Sequence, residues 1–228
     1  MMTVQPQMST VEVFDSVGPA YEDAFHGLST QAASLRWLLA QLPAAGGARV
    51  VDVGCGTGRP VVSTLADAGH DVLGIDISPA MLEAARERVP RGRFELIDAR
   101  DYVRREETSR TGTLHAVTIY FSLIAGVSQQ DIRALLAGFG RLLRPGGSLV
   151  FATVPLPVEN KAIRWMGRPV TVSSLAPEDA LASVRAAGLR VVHHEQTTFW
   201  PRSAEAGICR PEDVWEEPHL FVYAKKPE

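Results

Sequence analysis

The segment Asp52-Val53-Gly54-Cys55-Gly56-Thr57-Gly58 places three glycines at alternate positions, directly after the apolar pair Val50-Val51 and directly before Pro60 and a helical stretch. Glycine adopts positive φ freely and lets the backbone come within contact distance of a ligand. The spacing therefore demands a tight turn between a buried strand and a helix. The helix start adds a partial positive charge suited to an anionic ligand group. A dinucleotide-binding turn would need GxGxxG. Counted from Gly54 its last glycine falls at Arg59, and counted from Gly56 it falls at Val61, so that fingerprint fails.

Hydrophobic periodicity extends the βα reading along the chain. Short apolar runs at 49–53, 70–76, 94–97, 114–120, 148–154, 189–198 and 220–224 read as strands. Helical spacing covers 10–25 (broken at Gly18-Pro19), 29–42, 60–68, 78–89, 129–143 and 177–187. Strands alternating with helices predict an α/β fold, a parallel sheet covered on both faces. Residues 1–9 carry no pattern and are expected to be frayed. The turn Arg144-Pro145-Gly146-Gly147 precedes the fifth strand. Two stretches, 155–173 and 201–218, fit no regular element. Loops of that length at the ends of late strands are expected to act as lids. The chain divides into a helical cap, 1–47, and a main domain, 48–228, that carries both lids.

Composition narrows the class. With 228 residues, 46% hydrophobic and 21% charged, the chain is an ordinary globular protein. A formal net charge of -3 argues against non-specific nucleic-acid binding, which depends on neutralising phosphates. No apolar run reaches the ~18–20 residues that cross a bilayer. Met1 to Thr10 lacks the basic region and apolar stretch of a signal peptide. Two cysteines, Cys55 and Cys209, are too few for a disulfide framework. The absence of CxxC and HExxH argues against zinc. These features predict a soluble, cytoplasmic protein. Arginine outnumbers lysine 20 to 3, and Asn160 is the sole asparagine, a bias expected of GC-rich bacterial codon usage.

The glycine motif has partners in register. Asp76 ends the second strand and is followed by Ile77; Ile97-Asp98-Ala99 follows the third. Tyr120-Phe121-Ser122-Leu123 ends the fourth, and Leu143-Arg144-Pro145-Gly146-Gly147 precedes the fifth. This ordered set, over roughly 48–155, resembles the class I S-adenosylmethionine-dependent methyltransferases. The resemblance implies a Rossmann-like, seven-stranded, mostly parallel sheet with its last strand antiparallel and an N-terminal helical cap. It implies S-adenosylmethionine as cofactor and S-adenosylhomocysteine as product. Asp76 would take the ribose hydroxyls, Ile77 would pack on the adenine, and Asp98 with the Ala99 N–H would read the adenine amino edge. Asp52, Gly54, Cys55 (a small filler), Gly56, Gly58 and Tyr120 would complete the cofactor site. His115 departs from the family, which often has Asp at the start of strand four; that end of the strand lies away from the chemistry.

Several acceptor classes are disfavoured. The Asn/Asp-Pro-Pro-Tyr clamp of many base and glutamine N-methyltransferases is missing at Tyr120-Phe121-Ser122-Leu123. Residues 118–127 hold no carboxylate for Mg²⁺, so no metal is expected. What remains resembles the stand-alone small-molecule enzymes of natural-product type. In that family a tyrosine of the cap often covers the methyl donor, which singles out Tyr21 as orienter or wall. Expected substrate walls are Phe25, His26, Ser122, Trp165 and Trp200, with Trp215 a further lid tryptophan. General-base candidates are His26 first, then Tyr120, His193, His194 and Glu195, because histidine titrates near ~6.5. The partner expected is a small molecule, with the protein a monomer or homodimer. Two alternatives stay open: an S-adenosylmethionine-binding protein, and a non-methylating lyase or cyclase on the same fold.

Overall fold

A computed structural model describes residues 6–228. A central strand β1 (Arg49–Val53) pairs in parallel on one side with β2 (Asp71–Asp76), which pairs with β3 (Arg93–Leu96). On its other side β1 pairs with β4 (Leu114–Tyr120), and β4 with β5 (Leu143–Thr153). A hairpin closes this edge: β9 (Glu217–Lys225) runs antiparallel between β5 and β8 (Arg190–Phe199). The seven-stranded order is β3-β2-β1-β4-β5-β9-β8. The order reverses between β1 and β4, and such a switch point opens a crevice beyond the carboxyl ends of the strands.

Strand parity sorts the core into two layers. Val51, Val53, Val117, Ile119, Leu149, Phe151, Leu220 and Val222 share one face. They pack against α6 (Ala99–Glu106), α7 (Gln129–Leu142) and α8 (Pro177–Ala186). Val50, Ala116, Tyr120, Val150, Ala152, Phe221 and Tyr223 share the other, under α3 (Ser29–Gln41), α4 (Val61–Asp67) and α5 (Pro79–Arg88). Successive side chains of a strand point to opposite faces, so burial on both faces explains the unbroken apolar runs. Ser128 and Asp131 form a capping box on α7, and Ser78 caps α5 ahead of Pro79.

The N-terminal segment folds as α1 (Thr10–Val17), a 3₁₀ turn at Gly18–Ala20, the short α2 (Tyr21–Ala24) and α3. Part of the frayed stretch expected over 1–9 falls on residues 1–5, outside the described residues. Residues 8 and 9 are ordered by contacts: the Met8 N–H donates to the Pro169 carbonyl at 2.9 Å, and Ser9 with Glu12 makes a capping box.

Three expectations need correction. The stretch 155–173 is no irregular lid but a hairpin, β6 (Val158–Trp165) and β7 (Arg168–Ser174). Val170 and Val172 of β7 pack on Val13 of α1, while β6 is mostly exposed and carries Glu159, Lys161 and Arg164, which hides its strand character. The second lid is shorter than 201–218, because β9 begins at Glu217. The turn expected at 144–147 lies inside β5, which starts at Leu143 and pairs irregularly with β4 until Ser148. Helix α6 was not anticipated. It is arginine-rich, and Tyr102 and Val103 are its only buried apolar residues. Among the described residues no helix is long and apolar enough to cross a membrane.

The layer between α7 and the sheet centres on Phe139, which is fully buried. Phe139→Ala should lower the free energy of unfolding by about 3–5 kcal/mol, while Arg133→Ala on the exposed face of α7 should change it by less than ~0.5 kcal/mol. Urea denaturation of both variants measures the contrast.

Candidate active site

A cleft of about 770 Å³ lies at the carboxyl ends of β1, β2 and β4, between the glycine loop and the N-terminal helices. That volume suits a drug-sized ligand with a smaller partner. Its floor is the loop 54–58. The Gly54 and Cys55 N–H groups donate to the Ile75 carbonyl at 2.8 and 3.0 Å. Gly56 N–H donates to Asp76 Oδ2 at 2.8 Å, and Ser78 N–H donates to Asp76 Oδ1 at 2.9 Å. One carboxylate at the end of β2 thus holds both the loop and the start of α5. Burial raises the Asp76 pKa, and these backbone N–H groups pull the other way.

The glycines divide by what surrounds them. A Cβ on Gly54, at φ 68°, would lie 2.1 Å from Ser122 Cβ. Ser122 is fixed there because its hydroxyl donates to the Val53 carbonyl at 2.6 Å. A Cβ on Gly56 would meet nothing within 4 Å, so that glycine borders the open cleft. Cys55 lies beneath the loop, and burial raises its thiol well above the ordinary range, as fits a filler rather than a nucleophile.

Asp52 is buried below the loop, with Thr118 Oγ1 donating to its Oδ1 at 2.7 Å. Burial pushes its carboxyl up to about 7, the Thr118 hydrogen bond opposes that, and Asp76 adds to it. Along the far wall lie Ile77, Asp98, Ala99 and Arg100. Asp98 caps α6 and accepts from Arg100 Nε at 2.9 Å and Arg100 Nη2 at 2.7 Å, which holds it below the usual carboxylate range. Arg100 was not singled out from sequence, because the helix it opens was not.

The near wall comes from the N-terminal helices. Phe14, Tyr21, Phe25 and His26 border the cleft, with the Tyr21 and Phe25 rings 4.7 Å apart. Burial chiefly, with the Glu217 and Asp76 carboxylates, drives the Tyr21 phenol far up, so it stays neutral. His26 is exposed at the rim. Glu22 accepts from Thr57 Oγ1 at 3.1 Å and pairs with Arg88, while Asp15 accepts from the Ser78 hydroxyl. These contacts fasten the helices to the glycine loop and to α5.

Other expected residues fall elsewhere. Tyr120 borders the cleft, but its hydroxyl bonds Ser34 Oγ at 2.6 Å and burial raises it strongly, which removes it as a base. Trp200 is 61% exposed and stands outside the cleft lining, so the wall role expected of it is not met. Trp165 sits behind the lining: its ring packs near Phe14 and Tyr21, and its Nε1 donates to Glu217 Oε1 at 3.0 Å. Trp215 lies on the second loop, also outside the lining. His193 and His194 are exposed on the edge strand β8, and Glu195 accepts from the Tyr223 hydroxyl at 2.7 Å, so none of the three reaches the cleft.

Two functional-looking features escaped the sequence reading. Phe121 follows β4 at φ 57°, a conformation bulky residues rarely adopt, and it borders the cleft. Behind it the buried residues Glu217 and His219 lie on β9, with His219 Nε2 3.3 Å from Glu217 Oε2. Their signal was strand parity, which puts 217 and 219 on the same face as Phe221 and Tyr223. Among the described residues no group of three or more His, Cys, Asp and Glu could hold a metal ion.

Comparisons agree with this geometry. A family model described as a methyltransferase domain matches residues 50–147. The chain is 30% identical over 193 residues to the trans-aconitate 2-methyltransferase of Methylobacterium nodulans, covering 82% of this chain and 67% of that one. It spans only 45–58% of the length of four further curated relatives. The (4+2)-cyclase SpnF shares the fold with a TM-score of 0.65 at 20% identity, covering 97% of this chain and 98% of that one. So does the Burkholderia thailandensis 1,6-didemethyltoxoflavin-N1-methyltransferase, solved with bound 1,6-didemethyltoxoflavin and S-adenosylhomocysteine: TM-score 0.60, 19% identity, 99% and 94% covered.

Gly54→Ala must push Ser122 off the Val53 carbonyl, whereas Gly56→Ala meets only the backbone strain of φ 53°. The first should lower thermal stability far more than the second, which should cost about 1 kcal/mol. Asp52 gives a second test, in pH. Its folded pKa lies above the usual 3.8, at about 7, so its contribution is fully present below about 4 and is lost as pH rises through about 7. Asp52→Asn should match wild type near pH 4, melt increasingly above it as pH rises from about 4 to about 7, and keep a constant margin at higher pH in the ligand-free protein. Calorimetric Tm against pH checks the sign.

Proposed function

The chain belongs to the class I S-adenosylmethionine-dependent methyltransferases, and we propose that it methylates nitrogen, oxygen or an activated carbon of a small, flat aromatic or heterocyclic molecule of natural-product type. The observation that carries the acceptor class is the presence of Phe14, Tyr21, Phe25 and Phe121 together in the cleft lining. Aromatic faces bind flat rings well and contribute little that is polar.

The cleft fits the cofactor on its own terms. The open space above Gly56 accepts a ligand against bare backbone. Asp76 keeps lone pairs on both oxygens beyond its two backbone donors, as a pair of ribose hydroxyls requires. Ile77, Asp98 and Ala99 line the wall where the adenine would lie. The cofactor supplies an activated methyl on a sulfonium; the protein's task is to hold acceptor and methyl in line and keep water out. In this reading residues 1–47 are the cap that performs both tasks over a main domain, 48–228. Tyr21, neutral at working pH, is a wall or hydrogen-bond donor at the methyl rather than a base. His26 orients acceptors from the rim, and Ser122 positions the loop. We place the protein in the bacterial cytoplasm, acting on free small molecules rather than on nucleic acid, as a monomer or homodimer.

Incubating the protein with methyl-labelled S-adenosylmethionine and a panel of phenols, indoles and aza-heterocycles tests the reading. The expected result is a product heavier by one CH₂, with one S-adenosylhomocysteine per turnover. A product of unchanged mass would instead indicate a cyclase or lyase, and label that never leaves the cofactor would indicate a binding protein.

A further inference from the structure

The methyl-transfer reading leaves one polar pair unused. Of the six histidines, His70 and His115 lie at the opposite end of the sheet, where their Nδ1 atoms accept from Ala48 N–H and Arg49 N–H. His193 and His194 are exposed on β8, and His26 is exposed at the rim. His219 alone is fully buried on the cleft side, one residue before Leu220, which pairs with Thr153 at the carboxyl end of β5. Its Nε2 faces Glu217 Oε2, and its Nδ1 has no hydrogen-bond partner among the described residues. A carboxylate only accepts, so in the neutral imidazole the hydrogen sits on Nε2 and the lone pair on Nδ1. Glu217 is itself held by Trp165 Nε1. An imidazole fixed in one tautomer by a buried carboxylate, with its other nitrogen free, is the arrangement of an oriented base.

His219 does not itself line the cleft, but the aromatic residue packed nearest to its ring does. The Phe121 ring lies 4.4 Å from the His219 ring and Phe121 belongs to the cleft lining, while Phe199, 6.0 Å from His219, stacks on Phe25, which lines the cleft as well. Phe121 is the residue whose backbone occupies the left-handed region at the end of β4. Such strain at a strand end, beside a ligand cleft, is typical of functional positions.

We propose that His219 is the proton acceptor for the substrate's X–H group, with Glu217 as its orienting carboxylate and Phe121 as the gate whose rotation opens Nδ1 to the cleft. This rests on the methyl-transfer function proposed above. The X–H proton passes to Nδ1, and the freed electron pair on X forms the new bond to the methyl. The sulfur–methyl bond breaks, and its electrons neutralise the sulfonium. The substrate class is thereby narrowed to acceptors that must lose a proton: phenols, enols and ring N–H groups.

Two experiments test it, one without any substrate. Diethylpyrocarbonate acylates unprotonated imidazole, and peptide mass mapping reads each histidine. In wild type His26, His193 and His194 should react quickly and His219 slowly; in Phe121→Ala the His219 rate should rise at least tenfold, with His70 still protected. Phe121→Leu serves if the alanine variant does not fold. No acceleration in a folded Phe121 variant means that the gate does not exist, and overturns the proposal whether or not an acceptor is known. With a phenol or ring N–H acceptor from the panel, His219→Gln should lower kcat at least 100-fold while S-adenosylhomocysteine affinity by calorimetry stays unchanged. Unchanged kcat overturns the proposal and leaves the methyltransferase reading intact. A panel without any methylated product fails that reading, and the labelling result then stands by itself.

Discussion

Two backbone N–H groups on one carboxylate hold this cleft in shape. Asp76 receives Gly56 from the glycine loop and Ser78 from the start of α5, so the end of β2 binds together two segments that lie 22 residues apart in sequence at their extremes. Within the loop the glycines sit at positive φ, and Gly54 and Cys55 donate to the Ile75 carbonyl while Gly56 turns its N–H to Asp76. Without Asp76, the Gly56 N–H would lose its partner at the edge of the cleft, at a cost of about 1 kcal/mol for a part-buried hydrogen bond. Burial in turn raises the pKa of Asp76, so the clasp works by setting desolvation against hydrogen bonding.

The sheet explains why these groups converge. Parallel strands end at the same level, and the reversal of order between β1 and β4 leaves a gap at that level. Asp52, Asp76, Asp98 and Phe121 each lie at or just past the carboxyl end of a strand, so they surround that gap although they are spread over 70 residues. The aromatic side chains of the N-terminal helices roof it. Polar groups thus gather on the loop side and apolar rings on the roof.

Much of this was legible in the chain. The glycine spacing and the apolar runs marked β1 to β5 because buried parallel strands read as continuous hydrophobic stretches. The acids at the ends of β1 and β2 and just after β3 stood out because each closes such a run. What stayed hidden had weaker signals. Helix α6 buries two apolar side chains under a coat of arginines. The β6–β7 hairpin buries one face on α1, a contact no local pattern reveals. Tyr120 looked reactive by type, but its partner Ser34 is 86 residues away. Trp200 looked like a wall because aromatic residues on loops often are, and only tertiary structure shows it facing solvent. Glu217 lay in the stretch 201–218 that read as lid, and His219 fell between it and the strand read at 220–224, since Glu216 and Pro218 interrupt the strand pattern.

The N-terminal helices carry their fastenings and their cleft-facing rings on adjacent positions. Asp15 and Glu22 hold Ser78, Thr57 and Arg88, while Phe14, Tyr21 and Phe25 point into the cleft. Docking and wall shape are therefore written in separate residues of one short segment. Changes at 14, 21 or 25 can redraw the contour offered to a guest while the roof stays seated. A scaffold built this way can diversify its chemistry over evolutionary time by exchanging a few rings, with the frame beneath left as it was.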